Sequence, residues 1–301
     1  MNEKAIPEFL KHLLVKQYGE ALYQKIEAGY LGSRFVTIRV NTLKSNIEEV
    51  INALDKLQIS YETVKGMPDS LVLKHINSKE VLALALCESG KIYLQSLSSQ
   101  LAAYLLNPKP NTDILDMCAA PGSKTTYLAA LTNNNAFITA CEINKIRMER
   151  LQCNVAKLGA TKINFMLVDS KKLDDYFRFD QIILDAPCSG SGTLNLRDDS
   201  FNQISLKLVE NSSRLQISLL KKALTILKPG SEMIYSTCSI LNIENEMVIN
   251  HILKEFKVEV VPINRDEFDL PLLPTTINGA LCLMPNAYFE GFFVIKLKKL
   301  H

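Results

Sequence analysis

The chain has 301 residues, 47% apolar and 22% charged, the composition of an ordinary soluble globular protein with room for a full-sized core domain and a smaller companion. Its net charge of +2 names no partner by itself, and no apolar run approaches the roughly 18 residues that span a bilayer. The seven cysteines (87, 118, 141, 153, 188, 238 and 282) form no CxxC pair, which argues against a structural zinc site or a disulfide framework. Reduced thiols in a cytoplasmic protein without a metal are the expectation. The opening MNEKAIPEFLKHLL carries two glutamates and no signal-peptide core.

In chain order, a helix is expected near 7–17, then a strand at FVTIRVN (35–41). Ile47, Val50, Ile51 and Leu54 are spaced as one helix face, and YETV (61–64) and SLVLK (70–74) read as short strands. Residues 1–107 therefore read as a small α+β unit, with 13 Lys or Arg against 11 Asp or Glu through residue 111. NPKPNT (107–112) reads as a linker. From 108 to 301 short apolar runs alternate with helical patterns, the signature of a doubly wound parallel sheet.

DILDM (113–117) is the first strand of that unit, followed by a helix from Gly122 to about Leu131. AFITACE (136–142) is the second strand. Its helix carries Ile146, Leu151, Val155 and Leu158 on one face and stops at Gly159. INFMLVD (163–169) and FDQIILDAP (179–187) are the third and fourth strands. A helix from about Ile204 to Leu227 ends before Pro229-Gly230, and SEMIYST (231–237) is the fifth strand. A helix near 243–255, a strand near 256–261 and the strand GFFVIKL (291–297) complete the pattern.

The turn after the first strand, Asp116-Met117-Cys118-Ala119-Ala120-Pro121-Gly122-Ser123-Lys124-Thr125, sits where open parallel sheets bind ligands. Its spacing fits neither GxxxxGK[ST] nor GxGxxG, leaving a nucleoside cofactor without a pyrophosphate. Glu142 ends the second strand, suited to ribose hydroxyls, and Asp169 ends the third, within reach of an adenine edge. Acids in register at these strand ends suit S-adenosylmethionine.

After the fourth strand comes Asp185-Ala186-Pro187-Cys188-Ser189-Gly190-Ser191-Gly192, with a thiol where amine methylases commonly carry an aromatic or a proline. A thiolate added across carbons 5 and 6 of a pyrimidine makes carbon 5 nucleophilic, and Asp185 is placed to hold N3 and the exocyclic amino group. Thr237-Cys238-Ser239 ends the adjacent fifth strand, so both cysteines reach one base. Spacing does not choose between them. The zinc-deaminase pattern is absent.

With DMCAAPGSKT, DAPCSGSGTL, YSTCS, RVNTLK (39–44), ENE (244–246) and EGFFVIKLKK (290–299), the chain resembles the Nol/Nop/Sun (Fmu/Sun) family of RNA cytosine-5 methyltransferases along essentially its whole length. The resemblance implies a Rossmann-like methyltransferase domain with a mostly parallel seven-stranded sheet, preceded by a small α+β RNA-recognition-like domain. It implies that residues 118–124 (Cys118, Ala119, Ala120, Pro121, Gly122, Ser123, Lys124) line the S-adenosylmethionine site, with Glu142, Asp169 and Asp185 as its side-chain contacts. Cys238 is then the nucleophile and Cys188 assists product release, with Lys124 beside the reacting base or the cofactor.

The implied partner is RNA, ribosomal before transfer RNA, handled by a monomer; a non-catalytic RNA-associated assembly factor is the alternative. Ser123 stands where the family usually has a second glycine. Asn195-Leu196-Arg197-Asp198-Asp199 lacks the family's proline. Cys282-Leu283-Met284-Pro285-Asn286 lacks its arginine and histidine. The last two departures fall in regions expected to touch RNA.

Overall fold

The computed structural model describes residues 6–196 and 204–301. Helices α1 (Glu8–Tyr18) and α2 (Glu20–Leu31) meet at Gly19, whose φ of 78° lets one residue end the first helix and start the second. Both bury their apolar faces (Leu10, Leu14, Tyr23, Ile26, Tyr30) in the core of the large sheet described below. Strands β1 (Val36–Val40), β2 (Tyr61–Val64), β3 (Met67–Leu73) and β4 (Ile92–Leu94) form a small antiparallel sheet of order β2-β3-β1-β4. Helix α3 (Ile47–Lys56), capped by Asn46, covers it with Val50 and Leu54, and two short helices, α4 (Ser78–Leu82) and α5 (Ala85–Glu88), precede β4.

Helix α6 (Leu97–Leu106) buries seven of its ten residues, and its apolar ones join the second core cluster, with Ile114, Ile138 and Val294 of the large sheet. That sheet contains β5 (Asp113–Asp116), β6 (Phe137–Glu142), β7 (Ile163–Leu167), β8 (Phe179–Asp185), β9 (Leu227–Thr237), β10 (Val258–Val261), β11 (Leu272–Leu273), β12 (Leu281–Leu283) and β13 (Phe292–Lys299). Helices α7 (Ser123–Leu131), α8 (Lys145–Leu158), α9 (Leu206–Ile226) and α10 (Glu246–Glu255) pack against it. The order β7-β6-β5-β8-β9 is parallel, and β13 pairs antiparallel with β9. On its other edge β13 pairs with β12 through Phe292–Val294 and with β10 through Lys296–Lys299. The expected seven strands are thus present, extended to nine by the antiparallel pair β11–β12.

The order in which strands are added reverses at β5: β6 and β7 lie to one side of it and β8 and β9 to the other. The crevice beyond their carboxyl ends is where such a sheet receives ligands. Two residues of the RVNTLK segment fasten the small sheet across this region. Arg39, fully buried, lies with its guanidinium carbon 4.5 Å from the Tyr127 ring centroid and gives a hydrogen bond to Thr126 Oγ1 at 3.0 Å, both on α7. Asn41 Nδ2 donates to Leu158 O at 2.8 Å, at the end of α8.

Three expectations change. On α8 the buried face is Met148, Leu151, Val155 and Leu158; Ile146, expected on it, is 63% exposed because, five residues before Leu151, it lies roughly 140° around the helix from it. Cys282 and Leu283 belong to the buried strand β12, where Tyr18 Oη lies 3.6 Å from Cys282 Sγ, so these two are core residues rather than an RNA-facing surface. The departure at Arg197-Asp198-Asp199 lies outside the described residues.

Candidate active site

Two groups of side chains gather at the crevice. The first surrounds the paired thiols. Because β8 and β9 are parallel neighbours with Asp185 opposite Ser236, the loops that leave them start side by side. Backbone bonds keep them together: Ala186 N donates to Ser236 O at 2.8 Å and Gly192 N to Cys238 O at 2.9 Å. Ser191 and Ser239 hydroxyls meet at 2.8 Å, and Gly291 N donates to Gly192 O at 2.8 Å. A Cβ on Gly192 would run into the Gly291 carbonyl, so the contact requires glycine there. The outcome is Cys188 Sγ 3.0 Å from Cys238 Sγ, with both thiols free.

The surroundings of the two sulfurs differ in sign. Glu244, from the ENE segment, accepts from Ser189 N at 2.7 Å and Ser189 Oγ at 2.6 Å, placing a buried carboxylate beside the Cys188 loop. The Cys188 thiol is held well above its ordinary range by its hydrogen bond with Cys238, then by burial and by the negative fields of Cys238 and Glu244. Burial also pushes the Glu244 carboxyl up, against the hydrogen bonds that it accepts. On the other side stands Lys124, buried in the first turn of α7. Burial works to lower its pKa, but the charge and hydrogen bond of Asp185, then Asp116 and Cys238, win and hold it above the ordinary value. Its Nζ lies 2.7 Å from Asp185 Oδ2 and donates to Ser99 Oγ at 2.8 Å. Ser236 donates to the other Asp185 oxygen at 2.7 Å.

The second group lines a cavity of about 220 Å³ beyond β5, β6 and β7. Cys118, Glu142 and Asp169 are on its wall, with Val168, Pro187 and Leu215 supplying apolar surface. Glu142 is 3% exposed; its Oε1 accepts from Asn144 N at 2.9 Å and its Oε2 lies 3.3 Å from Arg147 Nη1. Asp169 accepts from Lys171 N at 3.1 Å and remains half-buried. Ala119, Ala120, Pro121 and Gly122 form the turn into α7, at which Gly122 takes φ 102° and Ser123 begins the helix. Beneath the turn Asp116 is fully buried. Its Oδ2 accepts from Thr125 Oγ1 at 2.7 Å while its Oδ1 has no partner.

The expected site residues divide between the two groups, with residues 119–123 in the turn between them and not on the cavity wall. Lys124 and Asp185 go with the thiols, and Cys118, Glu142 and Asp169 with the cavity. Three partners were not read from the sequence: Ser99, Arg147 and Ser236. Each is an ordinary polar residue whose importance comes from the residue it meets, and only Arg147, one turn after Glu142, had a signal in its spacing. Among the described residues no group of His, Cys, Asp or Glu could hold a metal ion, and no helix is long and apolar enough to cross a membrane.

The family model described as 16S rRNA methyltransferase RsmB/F matches residues 103–298, and that of the RsmF/B-like ferredoxin-like domain matches residues 6–78. Ribosomal RNA small subunit methyltransferase F of Aeromonas salmonicida is 33% identical over 274 residues, 88% of this chain and 58% of that protein. The Shewanella oneidensis protein of the same name is 35% identical over 271 residues, 87% and 57% respectively. The chain therefore spans little more than half the length of these relatives. Among solved structures, a methyltransferase homolog protein from Pyrococcus horikoshii superimposes with a TM-score of 0.81 at 29% identity, covering 98% of this chain and all of that one. NSun6 from the same organism, solved with SFG, gives 0.87 at 22% identity over 99% of both chains, a likeness of fold. Since the first of these family matches takes in both thiols and all four acids, the chain belongs to the RsmB/F methyltransferase family.

Proposed function

We propose that this chain methylates carbon 5 of a cytosine in RNA, ribosomal RNA before transfer RNA, through a transient bond between Cys238 and carbon 6. Two thiols 3.0 Å apart beside the buried Lys124–Asp185 ion pair carry this reading. The hydrogen bond with Cys238, burial and the neighbouring Glu244 carboxylate favour a retained proton on Cys188.

The cavity residues fit S-adenosylmethionine. Glu142 would meet the ribose hydroxyls and Asp169 the adenine edge, with residues 118–122 as the turn against the cofactor and the unpartnered Asp116 Oδ1 beneath it. That cofactor supplies an electrophilic methyl group. The protein's own work is on the base. Cys238 Sγ forms a bond to carbon 6, and the electron pair of the 5,6 double bond becomes available at carbon 5. Asp185, held by Lys124 and Ser236, binds the pyrimidine edge and relays a proton from the Lys124 ammonium to N3 as negative charge develops. Release requires that carbon 5 lose its proton while the carbon 6–sulfur bond breaks; Cys188, 3.0 Å from the departing sulfur, gives its proton to that sulfur and, as the thiolate, takes the carbon 5 proton. RNA contact is assigned to the unit of residues 1–107 and to the cleft between it and the catalytic unit of 108–301. A cytoplasmic monomer is part of the same reading.

The test is a denaturing gel of wild type, Cys188→Ser and Cys238→Ser, each incubated with cellular RNA and S-adenosylmethionine. An RNase-sensitive shifted band in Cys188→Ser alone is expected. A band in Cys238→Ser alone would exchange the two roles, and no labelled cytosine from wild type with labelled cofactor would refute the reaction.

A further inference from the structure

A second cavity, of about 320 Å³, opens between the small sheet and the catalytic unit, and the proposed chemistry does not use it. Phe35, Tyr288, Arg34, Gln95 and Glu290 are on its wall. Gln95 is 6% exposed and its Oε1 has no hydrogen-bond partner, although a buried amide oxygen normally finds one. Its Nε2 is committed to Ser99 Oγ at 3.3 Å, and the same Ser99 oxygen receives Lys124 Nζ at 2.8 Å. The cavity is therefore connected through Ser99 to the lysine that holds Asp185.

The other walls also touch the active site. Arg34 gives hydrogen bonds to Thr193 O at 3.0 Å and Leu194 O at 2.8 Å, on the loop that follows Cys188, and pairs with Glu290 at 3.5 Å. Its charge is thus spent on holding that loop. The Phe35 and Tyr288 rings lie 5.1 Å apart, tilted by 57°, and Tyr288 is 38% exposed. A half-open aromatic wall, a buried acceptor that needs an N–H donor, and a shared border with the loop of a catalytic thiol suit one kind of ligand. Every nucleobase offers a π face and an N–H on its pairing edge, and single-stranded RNA is bound by stacking splayed bases on aromatic side chains.

We infer that this cavity is a subsite for the base that flanks the target cytosine, stacked on Tyr288, edged by Phe35 and hydrogen-bonded to Gln95 Oε1. The inference rests on the RNA reading above. Splaying the neighbour apart from the target holds the target unstacked for attack at carbon 6. Because all four bases meet the requirement, the subsite reads the presence of a base and not its identity.

Short single-stranded RNAs with one cytosine are used as probes, carrying either an ordinary or an abasic nucleotide immediately before or after that cytosine. Binding by wild type should weaken about tenfold when one of these two neighbours is abasic. Tyr288→Ala should bind the intact RNA about as weakly and be indifferent to the abasic change, Gln95→Leu should lose part of that sensitivity, and Tyr288→Phe should retain it. Tyr176→Ala, 90% exposed and away from the cavity, is the control. Equal wild-type binding of intact and abasic RNAs, or an abasic penalty undiminished in Tyr288→Ala, would overturn the subsite. Cofactor-dependent methylation is scored on the same RNAs. Methylation without the abasic penalty removes the subsite alone, and the penalty without methylation removes the reaction and leaves the subsite.

Discussion

Asp116→Asn should abolish a loss of stability that wild type undergoes as pH rises from about 4 to 6. The Asp116 carboxyl is 1% exposed, and burial raises its pKa from 3.8 to about 6 against the opposing hydrogen bond from Thr125 and charge of Lys124. The folded protein therefore holds this proton more tightly than the unfolded chain does. Stability from the neutral carboxyl is fully present below the unfolded value and is lost as pH climbs through the folded one. The rise from 3.8 to about 6 corresponds to roughly 3 kcal/mol at most. Asparagine keeps an oxygen for Thr125 and cannot titrate. Urea unfolding of both proteins across pH 4 to 7 measures the effect, with the free-energy difference between them as the readout, so that other titrating groups cancel. A difference constant to within about 0.5 kcal/mol across that range would refute the assignment of a buried, proton-holding carboxyl at the base of the cofactor turn.

Lys124→Met removes the partner of Asp185 Oδ2 and should lower single-turnover methyl transfer on the order of a hundredfold, with less effect on RNA affinity; unchanged transfer would dissociate the ion pair from catalysis. Gly192→Ala drives a methyl group into the Gly291 carbonyl and should cost about 2 kcal/mol or more in thermal unfolding. Gly230→Ala, with φ of 78° and open space around it, should cost about 1 kcal/mol from backbone strain alone.

β5 and β8 were legible because both of their faces are buried, which turns their centres, IL and IIL, into apolar runs that need no periodicity. Gly159 was legible as a helix stop, and it takes φ of 73° there. Helix α6 was hidden for the opposite reason: with seven of ten residues buried it has no polar face to mark a period. β4, β11 and β12, of two or three residues each, are too short to show alternation. Ile146 is apolar, but its phase on the helix turns it away from the face of Leu151, Val155 and Leu158. In the site, thiols and acids were legible because they stand at strand ends, where position along the chain sets position in the crevice. Ser99, Arg34 and Gln95 come from the junction with the small sheet, where no repeat ties residue number to place. Cys282 was placed at an RNA surface by its neighbours in the motif, although its strand is interior.

The pairing of β13 bears on how the polypeptide is made. A chain emerging from the ribosome delivers β9 and β10 well before residues 292–299, yet those residues supply the outer partner of β9 and the sole partner of β10 among the described strands. Until they arrive β9 presents an unpaired edge, and the Cys188 loop lacks the Gly291 anchor. The thiol site is therefore completed late, by a contact across roughly a hundred residues, a slow closure that leaves an adhesive strand exposed during synthesis.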